Sequence, residues 1–229
     1  QLVCQGVPSQ NILAVTFTNK AAGEMRERTM RLLESIGQPV RGAPLVTTFH
    51  ALAVRLLREF GENIGIKRSF VIWDRDDSMR SIKSALKELG TEQEARPILS
   101  TISRKKSEDT RLSEYAAKTR TFYDTTVARV WEKYEAHMKA EGALDFDDLL
   151  LRVHELLQNS EIRALLQKRW THVTIDEYQD TNAIQYEIAR LLTGDGNNIC
   201  VVGDLDQCIY TWRQARLENL LLFEKSFPG

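Results

Sequence analysis

Val173-Thr174-Ile175-Asp176-Glu177-Tyr178-Gln179-Asp180 decides the fold of this 229-residue chain. An apolar, β-branched run stops at two adjacent carboxylates, and a helical pattern follows. Residues 12–17, 45–48 and 199–204 repeat the plan of 173–176: a short apolar run, a polar or acidic end, then helical periodicity. Continuous apolar strands alternating with helices indicate an α/β fold with a parallel sheet covered on both faces. Ligands of such sheets bind at the carboxyl ends of the strands. The segments TFTN (16–19), TFH (48–50), DEYQD (176–180) and GDLDQ (203–207) are all expected at that edge.

The intervening helices are readable from their periodicity. Ala21, Ala22, Met25, Thr29, Leu32, Leu33 and Ile36 recur at helical spacing, with Gly37 just beyond. Thr48 is placed to cap a helix that runs to Phe60 and stops at Gly61. The middle of the chain lacks strand signals. Met79, Ile82, Leu86 and Leu89 form one stripe ending at Gly90. Tyr115, Thr119, Phe122, Val127, Val130, Tyr134 and Met138 form a longer one ending at Gly142. The expected organisation is an α/β domain over 1–64 and 146–229, interrupted by an all-helical subdomain over 65–145, of ordinary domain size.

Composition narrows the classes. Hydrophobic residues make up 42% and charged residues 28%, which excludes disorder, collagen-like repeats and disulfide-stapled miniature folds. Cys4, Cys200 and Cys208 are odd in number and lack C-x-x-C spacing, so they read as reduced thiols of a cytoplasmic protein. His50, His137, His154 and His172 lie far apart and offer no histidine-based metal motif. No apolar run approaches the ~20 residues that cross a bilayer. The net charge of −1 hides an asymmetry: +2 over 1–64, +2 over 65–145 and −5 over 146–229. Within 96–120, Arg96, Arg104, Lys105, Lys106, Arg111, Lys118 and Arg120 face only three acids. That patch suits either a phosphate backbone or a solvated surface.

Three segments carry candidate chemistry. At Asp176-Glu177, one carboxylate suits Mg²⁺, usually held through water, and the next suits orienting and deprotonating an attacking water in nucleotide hydrolysis. The same acids also suit helix capping. In Val201-Val202-Gly203-Asp204-Leu205-Asp206-Gln207, a strand ends in Gly-Asp and Gln207 follows, placed to bond a terminal phosphate or its attacking water. Tyr210 and Trp212 then alternate with polar residues before Arg213. Aromatic faces stack on unpaired bases and a cation meets the backbone, although buried core aromatics would read alike. Thr16-Phe17-Thr18-Asn19-Lys20 and Thr47-Thr48-Phe49-His50 join strands to helix N-termini, which favour anions but are also ordinary capping sequences.

Taken in order, these segments resemble the UvrD/Rep family of superfamily I DNA helicases. TFTNKAAGEMRER is similar to motif Ia, TFHALAVRLLREFG to motif Ib, TIDEYQDTN to motif II (the Walker B element) and VVGDLDQCIYTWRQA to motif III. LDFDDLL resembles the segment that re-enters the first motor domain after its helical insert. The resemblance implies a RecA-like P-loop NTPase domain, 1A, interrupted by a helical subdomain, 1B. It implies ATP and Mg²⁺ as cofactors, with Asp176 serving the metal, Glu177 as catalytic base, Gln207 sensing the γ-phosphate and Arg213 linking the nucleotide to DNA. Phe17, Tyr210 and Trp212 would stack on bases of single-stranded DNA, with Asn19 and His50 lining the same groove. The implied activity is ATP-driven movement along single-stranded DNA, typically 3′ to 5′, that displaces the complementary strand at single-/double-strand junctions during repair or replication.

The sequence departs from the family pattern in places. Gln214 stands where Gly is usual, and Cys208 replaces a usual Ser. None of the 12 glycines is followed by Lys, so the family's Walker A loop is not in this stretch and is expected to precede Gln1. Without that loop nucleotide binding is greatly weakened. The expectation is therefore that this stretch alone neither hydrolyses ATP nor unwinds DNA. The alternatives are the helicase part of a helicase–nuclease subunit, and a non-catalytic nucleic-acid-binding module.

Overall fold

A computed structural model describes residues 1–35, 42–194, 198–204, 206, 223 and 227. In chain order the elements are β1 (Ile12–Thr16), α1 (Asn19–Ser35), β2 (Leu45–Thr48), α2 (Phe49–Phe60), β3 (Val71–Ile72), α3 (Arg75–Glu88), α4 (Ala95–Ser107), α5 (Leu112–Ala117) and α6 (Phe122–Glu141). They continue with β4 (Ala143–Leu144), α7 (Phe146–Leu156), α8 (Ser160–Arg169), β5 (His172–Ile175), α9 (Ala183–Thr193) and β6 (Asn198–Val201). The chain divides into two compact units, Gln1–Arg55 with His154–Gly229, and Leu56–Val153. The division falls inside α2 and α7.

The first unit holds a four-stranded sheet in the order β2-β1-β5-β6. All three pairings are parallel, with Thr16 opposite Thr48, Val15 opposite Ile175, and Ile175 opposite Val201. The four apolar runs read from the sequence are these four strands, each displaced by no more than a few residues at its ends. Leu13, Val15, Val46, Val173 and Ile175 are buried, so β-branched and leucine side chains fill the layers on either side of the sheet. Cover is uneven: β1 and β2 are nearly all buried, whereas β6 alternates exposed and half-buried positions. The connection from β1 leads through α1 to β2, and that from β5 through α9 to β6. The adjacent strands β1 and β5 thus send their chains in opposite directions, which makes the gap between their carboxyl ends the topological switch point.

The second unit is built on α3, α4, α5 and α6, whose Ile82, Leu86, Ile98, Ile102, Val127, Val130, Trp131 and Tyr134 form one buried cluster. Two findings correct the sequence reading of this region. It is not all-helical, because β3 and β4 pair in parallel over two residues, Val71 with Ala143 and Ile72 with Leu144. The long stripe from Tyr115 to Met138 is two helices. Thr121 ends the gap between them and caps α6, accepting from Asp124 N (3.0 Å) while the Asp124 carboxylate accepts from Thr121 N (3.2 Å). Gly142, at φ 61°, closes α6 in the left-handed region that a side chain rarely adopts.

Lys106 also leaves the basic patch to which its neighbours Arg104 and Lys105 assign it. It is 1% exposed, with Nζ 2.7 Å from both Asp145 Oδ2 and Asp148 Oδ1. Tyr134 donates its hydroxyl proton to the same Asp145 oxygen (2.9 Å). Burial opposes charge on Lys106, but the two carboxylates outweigh it and hold the amine above the ordinary lysine range. The LDFDDLL segment is therefore anchored by a desolvated ion cluster, not only by its apolar residues.

Candidate functional site

The carboxyl edge of the four-stranded sheet gathers the expected segments. Beyond Ile175, the Asp176 backbone N–H donates to Val15 O (2.9 Å), carrying the β1 pairing one step past the strand. Asp176 and Glu177 are both half-buried there, beside the switch point. Glu177 has φ 54° and ψ 42°, a left-handed conformation that costs a residue with a Cβ about 1–2 kcal/mol. The surrounding hydrogen bonds impose it. Tyr178 N donates to Val202 O (2.9 Å), Val202 N to Ile175 O (2.8 Å) and Asp180 N to Glu177 O (2.9 Å), so the chain must turn sharply at Glu177. Strain held in this way belongs to places where side-chain direction matters.

The Glu177 carboxylate has a dedicated partner. Gln179, 1% exposed, donates Nε2–H to Glu177 Oε2 (2.6 Å). Its Oε1 accepts from the backbone N–H of Asp204, just past β6 (3.1 Å). The opposite amide orientation would set oxygen against carboxylate and N–H against N–H, so the two contacts fix its direction. Sequence reasoning did not single out Gln179. The available signal was a polar residue inside a segment that must fold back into the core, but its two partners are tertiary.

On the other side of the switch point, β1 and β2 deliver Phe17, Asn19 and His50. Phe17 and His50 are half-buried and Asn19 is exposed. Thr48 Oγ1 donates to Asn19 Oδ1 (3.3 Å) and accepts from Ala51 N (3.3 Å), while Thr18 Oγ1 accepts from Ala21 N (3.1 Å). The two threonines thus start α1 and α2 as caps, and one of them ties the two strand ends together. The edge is divided: the aromatic and neutral polar groups follow β2 and β1, and the acids follow β5 and β6.

Gln207, Tyr210, Trp212 and Arg213 lie outside the described residues. Among the described residues, no three His, Cys, Asp or Glu side chains gather into a metal-binding group, and no helix is long and apolar enough to cross a membrane. Cys4 and Cys200 are free and exposed.

Comparison with known proteins agrees with this geometry. The UvrD/REP helicase N-terminal domain matches residues 1–228. "ATP-dependent DNA helicase PcrA" of Leuconostoc citreum is 41% identical over 223 residues, covering 95% of this chain and 29% of that protein. The protein of the same name from Bacillus subtilis (strain 168) is 41% identical over 223 residues, 96% of this chain and 30% of its own length. That from Staphylococcus aureus (strain Mu50 / ATCC 700699) is 38% identical over 226 residues, 97% and 30% respectively. The chain spans roughly 30% of the curated relatives it matches. The ordered strand-end motifs, the switch-point acids and a match over 1–228 lead to one conclusion: the chain belongs to the UvrD/REP helicase N-terminal domain family.

Proposed function

We propose that this chain works as the first motor-domain portion of an ATP-dependent DNA helicase, hydrolysing ATP at the acidic half of its sheet edge and gripping single-stranded DNA at the other half. The observation that carries the reading is Glu177, held left-handed beside Asp176 at the switch point with one carboxylate oxygen fixed. Glu177 is the general base that takes a proton from the attacking water. Asp176 fits Mg²⁺: it is a half-buried hard-oxygen donor at the strand end, beside Glu177, as suits an ion bound by one carboxylate together with water and phosphate oxygens. The bound ion would supply charge neutralisation on the phosphates. Gln207 senses the γ-phosphate and Arg213 links nucleotide to DNA. Phe17, Tyr210 and Trp212 stack on bases, with Asn19 and His50 lining the groove.

The domain reading assigns 1–64 and 146–229 to the motor and 65–145 to the insert, and the separate compactness of Leu56–Val153 supports it. Movement 3′ to 5′ at single-/double-strand junctions, service in repair or replication, and a cytoplasmic location complete the proposal. The test is DNA-stimulated ATP hydrolysis by the full-length protein. Glu177→Gln is expected to lower kcat by about 10²–10⁴-fold while leaving ATP binding intact. Unimpaired turnover in that variant would contradict the reading.

A further inference from the structure

We propose that Gln179 is a positioning residue for ATP hydrolysis, holding the Glu177 carboxylate in its working direction and tying that direction to the end of β6. The inference rests on the reading of Glu177 as the general base. A base in a left-handed turn has a side chain free to rotate about three bonds, and catalysis needs one of its oxygens aimed at a water within about 3 Å. Gln179 supplies the missing constraint. Its Nε2–H occupies Glu177 Oε2 at 2.6 Å, leaving Oε1 as the acceptor for the water proton. Gln179 is itself fixed: it is 1% exposed, it sits in the Tyr178–Asp180 turn, and its Oε1 is held by Asp204 N–H at 3.1 Å.

The two halves of one amide thus connect the segment after β5 to the segment after β6. A displacement of the Asp204 backbone breaks the contact through which the amide is tied to the end of β6. Hydrolysis is thereby made sensitive to the position of the Asp204 backbone, just past β6.

Gln179→Glu separates positioning from mere packing. The substitution is nearly isosteric and keeps an oxygen for Asp204 N–H, but it replaces the permanent amide donor with a second carboxyl that competes with Glu177 for a proton. In the full-length protein, kcat for DNA-stimulated ATP hydrolysis is expected to fall about 10–100-fold with KM for ATP within twofold. Amide hydrogen exchange at Asp204 in the nucleotide-free protein should stay slow in Gln179→Glu and quicken in Gln179→Met, which has no acceptor oxygen. Adding Gln179→Glu to Glu177→Gln should cost nothing further, because no base remains to be aimed. Unchanged kcat in Gln179→Glu, or a full additional loss in the double variant, would overturn the proposal. If Glu177→Gln alone keeps wild-type turnover, the base assignment fails and Gln179 has nothing to position. If Glu177→Gln is inactive and Gln179→Glu is normal, only the positioning role fails.

Discussion

Single residues show how much of this protein depends on groups held against their preference. Lys106 is the clearest case. Removing the cation leaves Asp145 and Asp148 facing each other in a desolvated site, so Lys106→Met should cost about 3–5 kcal/mol in urea unfolding; a loss under 1 kcal/mol would show that the cluster is wet. Asp147, next to this cluster, is pushed up to about 7 by burial first and the Asp145 charge second. A raised carboxyl binds its proton more tightly in the folded protein, so its contribution is full below the unfolded value near 4 and is lost as pH rises through about 7. Asp147→Asn should flatten that fall, and after solvent screening the variant should gain about 1–2 kcal/mol over wild type at pH 8. Parallel stability curves between pH 5 and 8 would contradict this assignment. At Glu177 the left-handed backbone makes Glu177→Gly more stable than Glu177→Ala by about 1 kcal/mol, the reverse of the order at helical positions. Equal unfolding free energies for the two variants would mean that the turn relaxes.

Elements explain which parts of the fold were legible in the sequence. The four strands were readable because each is an apolar run with a sharp polar stop, and nothing beyond local chemistry is needed to mark them. α4 was harder. Its buried face is Ile98, Ile102 and Lys106 at steps of four, so the third member of the stripe is a charged residue and the periodicity looks broken. Read together with its acidic partners 39 and 42 positions away, Lys106 belongs to the stripe, but that pairing exists only in three dimensions. The single stripe drawn from Tyr115 to Met138 failed for a different reason. Helical spacing continued by coincidence across 118–121, while Thr121 and Asp124 carried a capping signal that outranks it. Thr121→Ala should therefore cost about 1 kcal/mol, read as an unfolding free energy. A neutral result would mean that α6 is started by its packing alone.

For the molecule as a whole, charge and topology must be read together. A net charge of −1 carries no hint of a nucleic-acid partner, yet the excess of acids over bases lies in 146–229, and two of those acids stand at the sheet's switch point. The order β2-β1-β5-β6 sorts the edge by chemistry, with Phe17, Asn19 and His50 on one side and Asp176, Glu177 and Asp204 on the other. The placement of the candidate residues just past β1, β2 and β5 was legible because their motifs sit at strand ends; the Gln179 bridge was not, since no local pattern reveals which backbone N–H a buried amide will meet. One titration tests the divided edge most directly: ATP hydrolysis by the full-length protein as a function of single-stranded DNA concentration. Phe17→Ala should raise the half-saturating DNA concentration about 5- to 100-fold and still reach the wild-type plateau, in line with one lost stacking contact. Glu177→Gln should abolish the plateau. If Phe17→Ala instead lowers the plateau at unchanged half-saturation, or Glu177→Gln retains it, the two halves of the edge do not have the separate roles assigned to them.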